Sequence, residues 1–203
     1  MPWTLIPAKD FRLAKQRLAP VLGTHQRADL ARTLLRHTIG IAQSAFDEPV
    51  LVVTPDSEVA SWARDCGADD IILSEAGDLN AELKGAARQV PTLSDLLVLH
   101  ADLPFLTAAE LRALAQREQT VLIGCDRSGK GTNALLLRGR HRFFAFGPGS
   151  CAHHLAQANA RGLSRRVIRL KGLSRDMDTP GDWACSGNMK NPPVALHARC
   201  SSL

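Results

Sequence analysis

Short apolar runs alternate with amphipathic ones along this chain, and the alternation sets the expected architecture. Trp3–Ile6, Pro49–Thr54, Leu96–His100, Thr120–Ile123, Ala134–Leu137 and Val167–Leu170 are near-continuous apolar stretches bounded by turn residues. Such runs read as strands covered on both faces. Between them, Leu30, Leu34, Ile41 and Ala45 fall on one helical face, with Arg32 and Arg36 turned away. Ser57–Asp65, Asn80–Val90 and Ser150–Arg161 read as further helices, the last stopped by Gly162. Thr107-Ala108-Ala109-Glu110 is a capping-box pattern that opens another. The alternation predicts an α/β fold: a three-layer, doubly wound, mainly parallel sheet with helices on both faces. One domain is expected over 1–183. From Ala184 to Leu203 periodicity is lost and Ser, Asn, Pro and Cys dominate, which predicts a flexible tail.

Composition narrows this picture without redirecting it. The 203 residues are 45% hydrophobic and 22% charged, which excludes a disordered chain, a collagen-like fibre and a disulfide-stapled minidomain. A net charge of +5 suits either simple solubility or an anionic partner such as phosphate. The cations are scattered and aromatics are only 4%, so a platform stacking single-stranded nucleic acid is not expected. The five cysteines, at 66, 125, 151, 185 and 200, are odd in number and show no CxxC pair. Neither a zinc knuckle nor a disulfide framework follows, and a reducing cytoplasm is the expected compartment. The opening MPWTLIPAKD lacks the pattern of a signal peptide, and no apolar run approaches the roughly 20 residues of a spanning helix, so no membrane is expected as partner.

Several segments carry groups suited to chemistry, each with a plainer alternative. Asp102 follows a predicted strand, where ligands of open α/β sheets gather; it is a magnesium donor or the start of an Asx turn. In Asp176-Met177-Asp178-Thr179-Pro180 two carboxylates share one side of an extended chain. Paired hard oxygens suit magnesium, and the alternative is a solvated turn before a proline-started helix. The pair gains meaning if it folds back on Asp102, since three carboxylates on one site repel unless a cation sits among them. Gly129-Lys130-Gly131-Thr132-Asn133 is either an anion cradle or a hairpin turn; it lacks P-loop spacing. Phe146-Gly147-Pro148-Gly149-Ser150 opens a helix whose N-terminus favours an anion, with Ser150 as N-cap, as ligand contact, or both. Of His153 and His154 one is expected to face the site and the other solvent. Lys9, Lys15 and Arg17 lie in a loop after the first strand and either clamp phosphates or form a basic surface. Arg165, Arg166, Arg169, Lys171 and Arg175 read as a solvated strand edge.

Taken in order, IPAKDFRLAKQRLAP, LNAEL, HADLPFL, GTNALLL, FGPGSCAHH and DMDTPGD resemble the guanylyltransferases of coenzyme F-420 biosynthesis, from Ile6 to about Trp183. The resemblance implies a nucleotide-diphospho-sugar transferase-like fold and transfer of GMP from GTP onto a phosphorylated three-carbon acid. Pyrophosphate is released. The acids of that family are 2-phospho-L-lactate, phosphoenolpyruvate and 3-phospho-D-glycerate, and the general wording of this chain favours 3-phospho-D-glycerate. By motif, Thr132, Gly147 and Ser150 match contacts to the acid. Asp102, Asp176 and Asp178 match the metal carboxylates, with Asp102 and Asp178 also catalytic. Lys9, Lys15, Arg17 and Asn80 match the nucleotide side. Magnesium is the implied cofactor, GTP the co-substrate, and a downstream transferase the recipient of product. The position before ADLP, His100 here, varies in the family.

A phosphate oxygen is already anionic at neutral pH, so the implied reaction needs no general base, only charge neutralisation and in-line placement. The nearest rivals are molybdopterin and sugar-phosphate nucleotidyltransferases, which carry a glycine-rich loop ending in Arg-Met where this chain has IPAKDFRLAKQRLAP. A non-catalytic anion-binding module is the rival from another class; its binding would depend on salt and not on magnesium. Monomer and homodimer both remain open.

Overall fold

The computed structural model describes residues 1–75 and 77–187. Seven strands form one sheet: β1 Trp3–Pro7, β2 Val50–Thr54, β3 Asp70–Leu73, β4 Leu96–Leu99, β5 Val121–Cys125, β6 Thr132–Leu137 and β7 Arg165–Ile168. The helices are α1 Thr24–Ala45, α2 Ser57–Asp65, α3 Leu79–Ala86, α4 Ala108–Ala115, α5 Ser150–Ala160 and α6 Pro180–Gly187. The spatial order is β3-β2-β1-β4-β6-β5-β7. β6 runs antiparallel to both of its neighbours, and every other pairing is parallel.

Both faces of the central strands are covered, as their apolar runs require. On one side, Ile6, Val52, Leu97, Leu99 and Leu136 pack with Leu35 and Ile39 of α1, Val59 of α2 and Leu111 of α4. On the other, Leu5, Val53, Val98, Ile123 and Leu135 pack with Leu83 of α3 and Ala158 of α5. Adjacent residues alternate between the two cores, the period-two signature of a strand. The three-layer expectation is met.

Four local expectations change. β3 had no strand assigned to it; it is an edge strand of four residues, exposed at both ends, and it lacks the continuous apolar run. β7 begins at Arg165 rather than Val167, because an edge strand tolerates exposed arginines. α3 ends at Ala86, four residues early, where the chain turns through Ala87. The expected tail from Ala184 begins inside α6, which continues to Gly187; positions 188–203 lie outside the described residues. Thr107 caps α4 with the reciprocal Glu110 contact that its motif predicts. Cys66, Cys125, Cys151 and Cys185 are free thiols. Among the described residues no helix is long and apolar enough to cross a membrane.

Candidate active site at the carboxyl edge of the sheet

β1 leads to β2 on one side of the sheet, and the chain returns through β4 on the other side. The carboxyl ends of β1 and β4 therefore flank a switch point, where open α/β sheets form a crevice. A cavity of about 390 Å³ lies there, lined by Lys9, Lys15, His100, Asp102 and Asp178 among others.

The loop after β1 is shaped by two apolar anchors. Phe11 and Leu18 are 2% and 0% exposed and hold its ends down. Between them Lys15 takes a left-handed φ of 54°, a conformation that costs a residue with a side chain. Its ammonium turns inward, 2.9 Å from Asp102 Oδ2 and 3.6 Å from Asp178 Oδ1. Arg17, on the rim, reaches the other oxygen of Asp178 at 3.1 Å.

Asp176 and Asp178 return to this edge through Met177. The Met177 side chain is fully buried among Leu18, Leu22, Leu30 and Leu34. Its backbone nitrogen donates to the Asp102 carbonyl at 2.9 Å. One buried methionine thus pins the segment, and the flanking carboxylates point away from it, as alternation along an extended chain demands. They part company in detail. Asp178 lines the main cavity, whereas Asp176 lines a neighbouring hollow of about 40 Å³ with Arg127 and Arg175.

Burial opposes ionisation of Asp102, yet Lys15 and His100 outweigh it and hold the carboxyl below 3.8. Burial and the negative charge of Asp102 push Asp176 up. Among the described residues no three His, Cys, Asp or Glu side chains form a group able to hold a metal ion alone. The donors still suit magnesium carried on phosphates, since that ion takes one or two carboxylates and keeps water and phosphate oxygens. Asp102 Oδ1 is buried without a hydrogen-bond partner, and Asp178 lies on the same cavity.

Thr132, Gly147 and Ser150 belong to a second cluster, and none of the three lines the cavity. The β5–β6 hairpin turns at Asp126–Gly131, where the Asp126 carboxylate accepts from Lys130 N and from Ser128 Oγ. The Lys130 carbonyl accepts from Cys151 N at 3.0 Å, which docks the hairpin on the start of α5. Gly149, with φ 71°, is the N-cap of α5. Ser150, expected as the cap, is instead the first helical residue and is buried. Gly147 has φ 135°, which favours glycine.

Of the two histidines on α5, His153 is exposed and His154 is fully buried. His154 faces Thr132 Oγ1 at 3.0 Å rather than the open cavity. Asn80, expected on the nucleotide side, spends both amide atoms on the Phe146 backbone at 2.9 and 2.7 Å. It braces the loop before Gly147. His100 links the two clusters: its backbone nitrogen donates to the Asn133 carbonyl at 3.0 Å, and its ring lies 5.1 Å from that of Phe146. Glu82, buried on α3 and lining the cavity, is one residue the sequence reading did not single out; the LNAEL segment holds it.

A mainly parallel sheet with cations and carboxylates at its switch point has the charge pattern that suits a phosphate-bearing ligand. The fold agrees with a nucleotide-diphospho-sugar transferase assignment made for a protein of Desulfovibrio desulfuricans G20. The TM-score is 0.75 at 15% identity, covering 98% of this chain and 94% of that one. A family model described as "Guanylyl transferase CofC like" matches residues 3–185. The chain belongs to this guanylyltransferase family. It is 39% identical over 184 residues to the phosphoenolpyruvate guanylyltransferase of Sphaerobacter thermophilus, covering 88% of each chain. It is 32% identical over 186 residues to the 2-phospho-L-lactate guanylyltransferase of Methanothermobacter thermautotrophicus, covering 88% of this chain and 80% of that one.

Proposed function

We propose that this guanylyltransferase joins GMP from GTP to phosphoenolpyruvate, with 2-phospho-L-lactate as the second acid to try, and releases pyrophosphate. The product then serves coenzyme F-420 assembly. The observation carrying the reading is the meeting of Lys15, Arg17, Asp102 and Asp178 from three distant segments at one cavity. The sequence-based preference for 3-phospho-D-glycerate finds no support in the relatives described above, which are named for the other two acids.

Lys9, Lys15 and Arg17 take the triphosphate, drawing Lys15 from its carboxylate partners as the anion arrives. Gly147, Ser150 and Thr132 hold the acid at the α5 N-terminus, where the helix dipole favours its charge. The acid's phosphate attacks the α-phosphorus without a general base. The residues need only align it and exclude water. Asp102 and Asp178, with Asp176 alongside, would hold magnesium, which supplies charge neutralisation on the phosphates when bound.

The test is pyrophosphate release from GTP and magnesium with each of the three acids, the downstream transferase present to draw off product. Release with phosphoenolpyruvate and not with the others is expected. Release with none, despite GTP binding, would remove this reading; release with 3-phospho-D-glycerate alone would restore the sequence-based choice of acid.

A further inference from the structure

The His154–Thr132 contact is resolved by hydrogen-bond logic. His154 Nε2 lies 3.0 Å from the backbone nitrogen of Ala145, and Nδ1 lies 3.0 Å from Thr132 Oγ1. A backbone N–H only donates, so Nε2 accepts. A neutral imidazole carries one ring proton, which must then sit on Nδ1. Burial, with His100 and His153 nearby, pushes the ring's pKa down to about 4, so it is neutral at physiological pH. Nδ1–H therefore donates to Thr132 Oγ1. The threonine hydroxyl keeps its own proton and, among the described residues, has no acceptor for it.

Neighbouring groups hold this pair in place. Phe146 stands edge-on to the His154 ring at 4.7 Å and is itself clamped by Asn80. Thr132 is 2% exposed and opens β6 next to the docked hairpin. Neither the ring nor the hydroxyl can exchange roles without breaking the bond to Ala145.

We propose that His154 is a positioning residue: by fixing its Nδ1–H tautomer it makes the Thr132 hydroxyl an obligatory donor to the anionic oxygen of the phosphorylated acid. The proposal rests on the function proposed above, in which Thr132 touches the acid. It also says what the site selects. A hydroxyl that already accepts from Nδ1–H and keeps its own proton to donate favours a carboxylate or phosphate oxygen over a neutral donor in the same place.

Three single variants, one double variant and one spectrum test it. His154→Asn keeps an amide N–H near the place of Nδ1, whereas His154→Gln places its amide near Nε2. At saturating GTP, His154→Gln should raise KM for the acid about tenfold or more, as loss of a hydrogen bond to a charged group does, with kcat changed less than about threefold. His154→Asn should stay within about threefold of the parent. Thr132→Val should raise KM as His154→Gln does, and the double variant should be no worse than Thr132→Val. Effects that multiply in the double variant, or an unchanged KM in His154→Gln beside a lowered Tm, would overturn the proposal. Imidazole nitrogen NMR of the unmodified protein reads the tautomer without any turnover. An Nε2–H signal overturns the proposal even if the variants do not fold. An Nδ1–H signal with no turnover on any acid places the failure in the proposed function and not in the wiring.

Discussion

Replacing Asp102 by Asn separates charge from shape at the centre of the site. The substitution keeps the side-chain volume and the backbone carbonyl, which still accepts from Met177 N at 2.9 Å. What disappears is the carboxylate facing Lys15 at 2.9 Å. A hydrogen bond between charged partners is worth about 1.5–3 kcal/mol. The burial that opposes the Asp102 charge recovers part of that, and Lys15 retains Asp178 at 3.6 Å. The expected loss of stability is about 1 kcal/mol, a fall in Tm of roughly 2–4 °C for a domain of this size. The effect on turnover is larger, because charge develops on phosphate oxygens next to the missing carboxylate and its cation. Loss of one preorganised electrostatic group costs about 10²–10³ in kcat, or roughly 3–4 kcal/mol of activation free energy. The assay is pyrophosphate release at saturating GTP and acid, beside a thermal melt and a GTP-binding isotherm. Turnover within about threefold of the parent refutes the reasoning. So does a fall in Tm beyond about 10 °C, which would make Asp102 a structural residue.

Lys15→Met removes the shared counter-ion of Asp102 and Asp178; the Asp102 carboxyl should titrate higher by carbon NMR, and KM for GTP should rise about tenfold or more. An unmoved Asp102 titration would count against the ion pair. Gly172→Ala would drive a Cβ into the Phe105 carbonyl group, whose carbon stands 2.6 Å from the ideal position. Because backbone and not a flexible tip is met, a loss of about 2–3 kcal/mol is expected in urea unfolding, and a neutral result would contradict the close approach. His154 has its pKa lowered from 6.5 to about 4 in the folded chain, so the unfolded chain takes up that proton first as pH falls. Its stabilising contribution is complete above pH 6.5 and is lost toward pH 4, by about 3 kcal/mol in all. Urea titrations at several pH values should show this slope, flattened in His154→Asn, and an equal slope in both would refute it.

Most strands legible in the sequence were those covered on both faces. β2, β4, β5 and β6 are wholly buried and appear as unbroken apolar runs, whereas the edge strand β7 was legible only from Val167 onward. β3 sits at the sheet's edge and mixes two exposed ends with one buried isoleucine, so its pattern carried no signal. Within the site, Asp102 and the Asp176–Asp178 pair were readable as donors, but their relation to Lys15 was not. That contact spans 87 positions and depends on how the switch point closes. Asn80 was assigned to the nucleotide side by motif resemblance alone; the structure turns its amide on a backbone 66 positions away. The inward face of His154 did have a local signal. Ser150, His154 and Ala158 recur at helical spacing and are all buried, whereas His153 is out of phase.

The Met177 pin has a consequence for how the enzyme comes into being. Its partners Leu18, Leu22, Leu30 and Leu34 belong to the first fifth of the chain, and the pin itself follows the last strand. A nascent chain still on the ribosome can pair all seven strands before Asp176 and Asp178 emerge. Synthesis runs from the N-terminus, so among the site residues named above these two carboxylates emerge last. A product truncated just after β7 retains the residues of all seven strands, lacks two of the three aspartates Asp102, Asp176 and Asp178, and leaves four leucines without their plug.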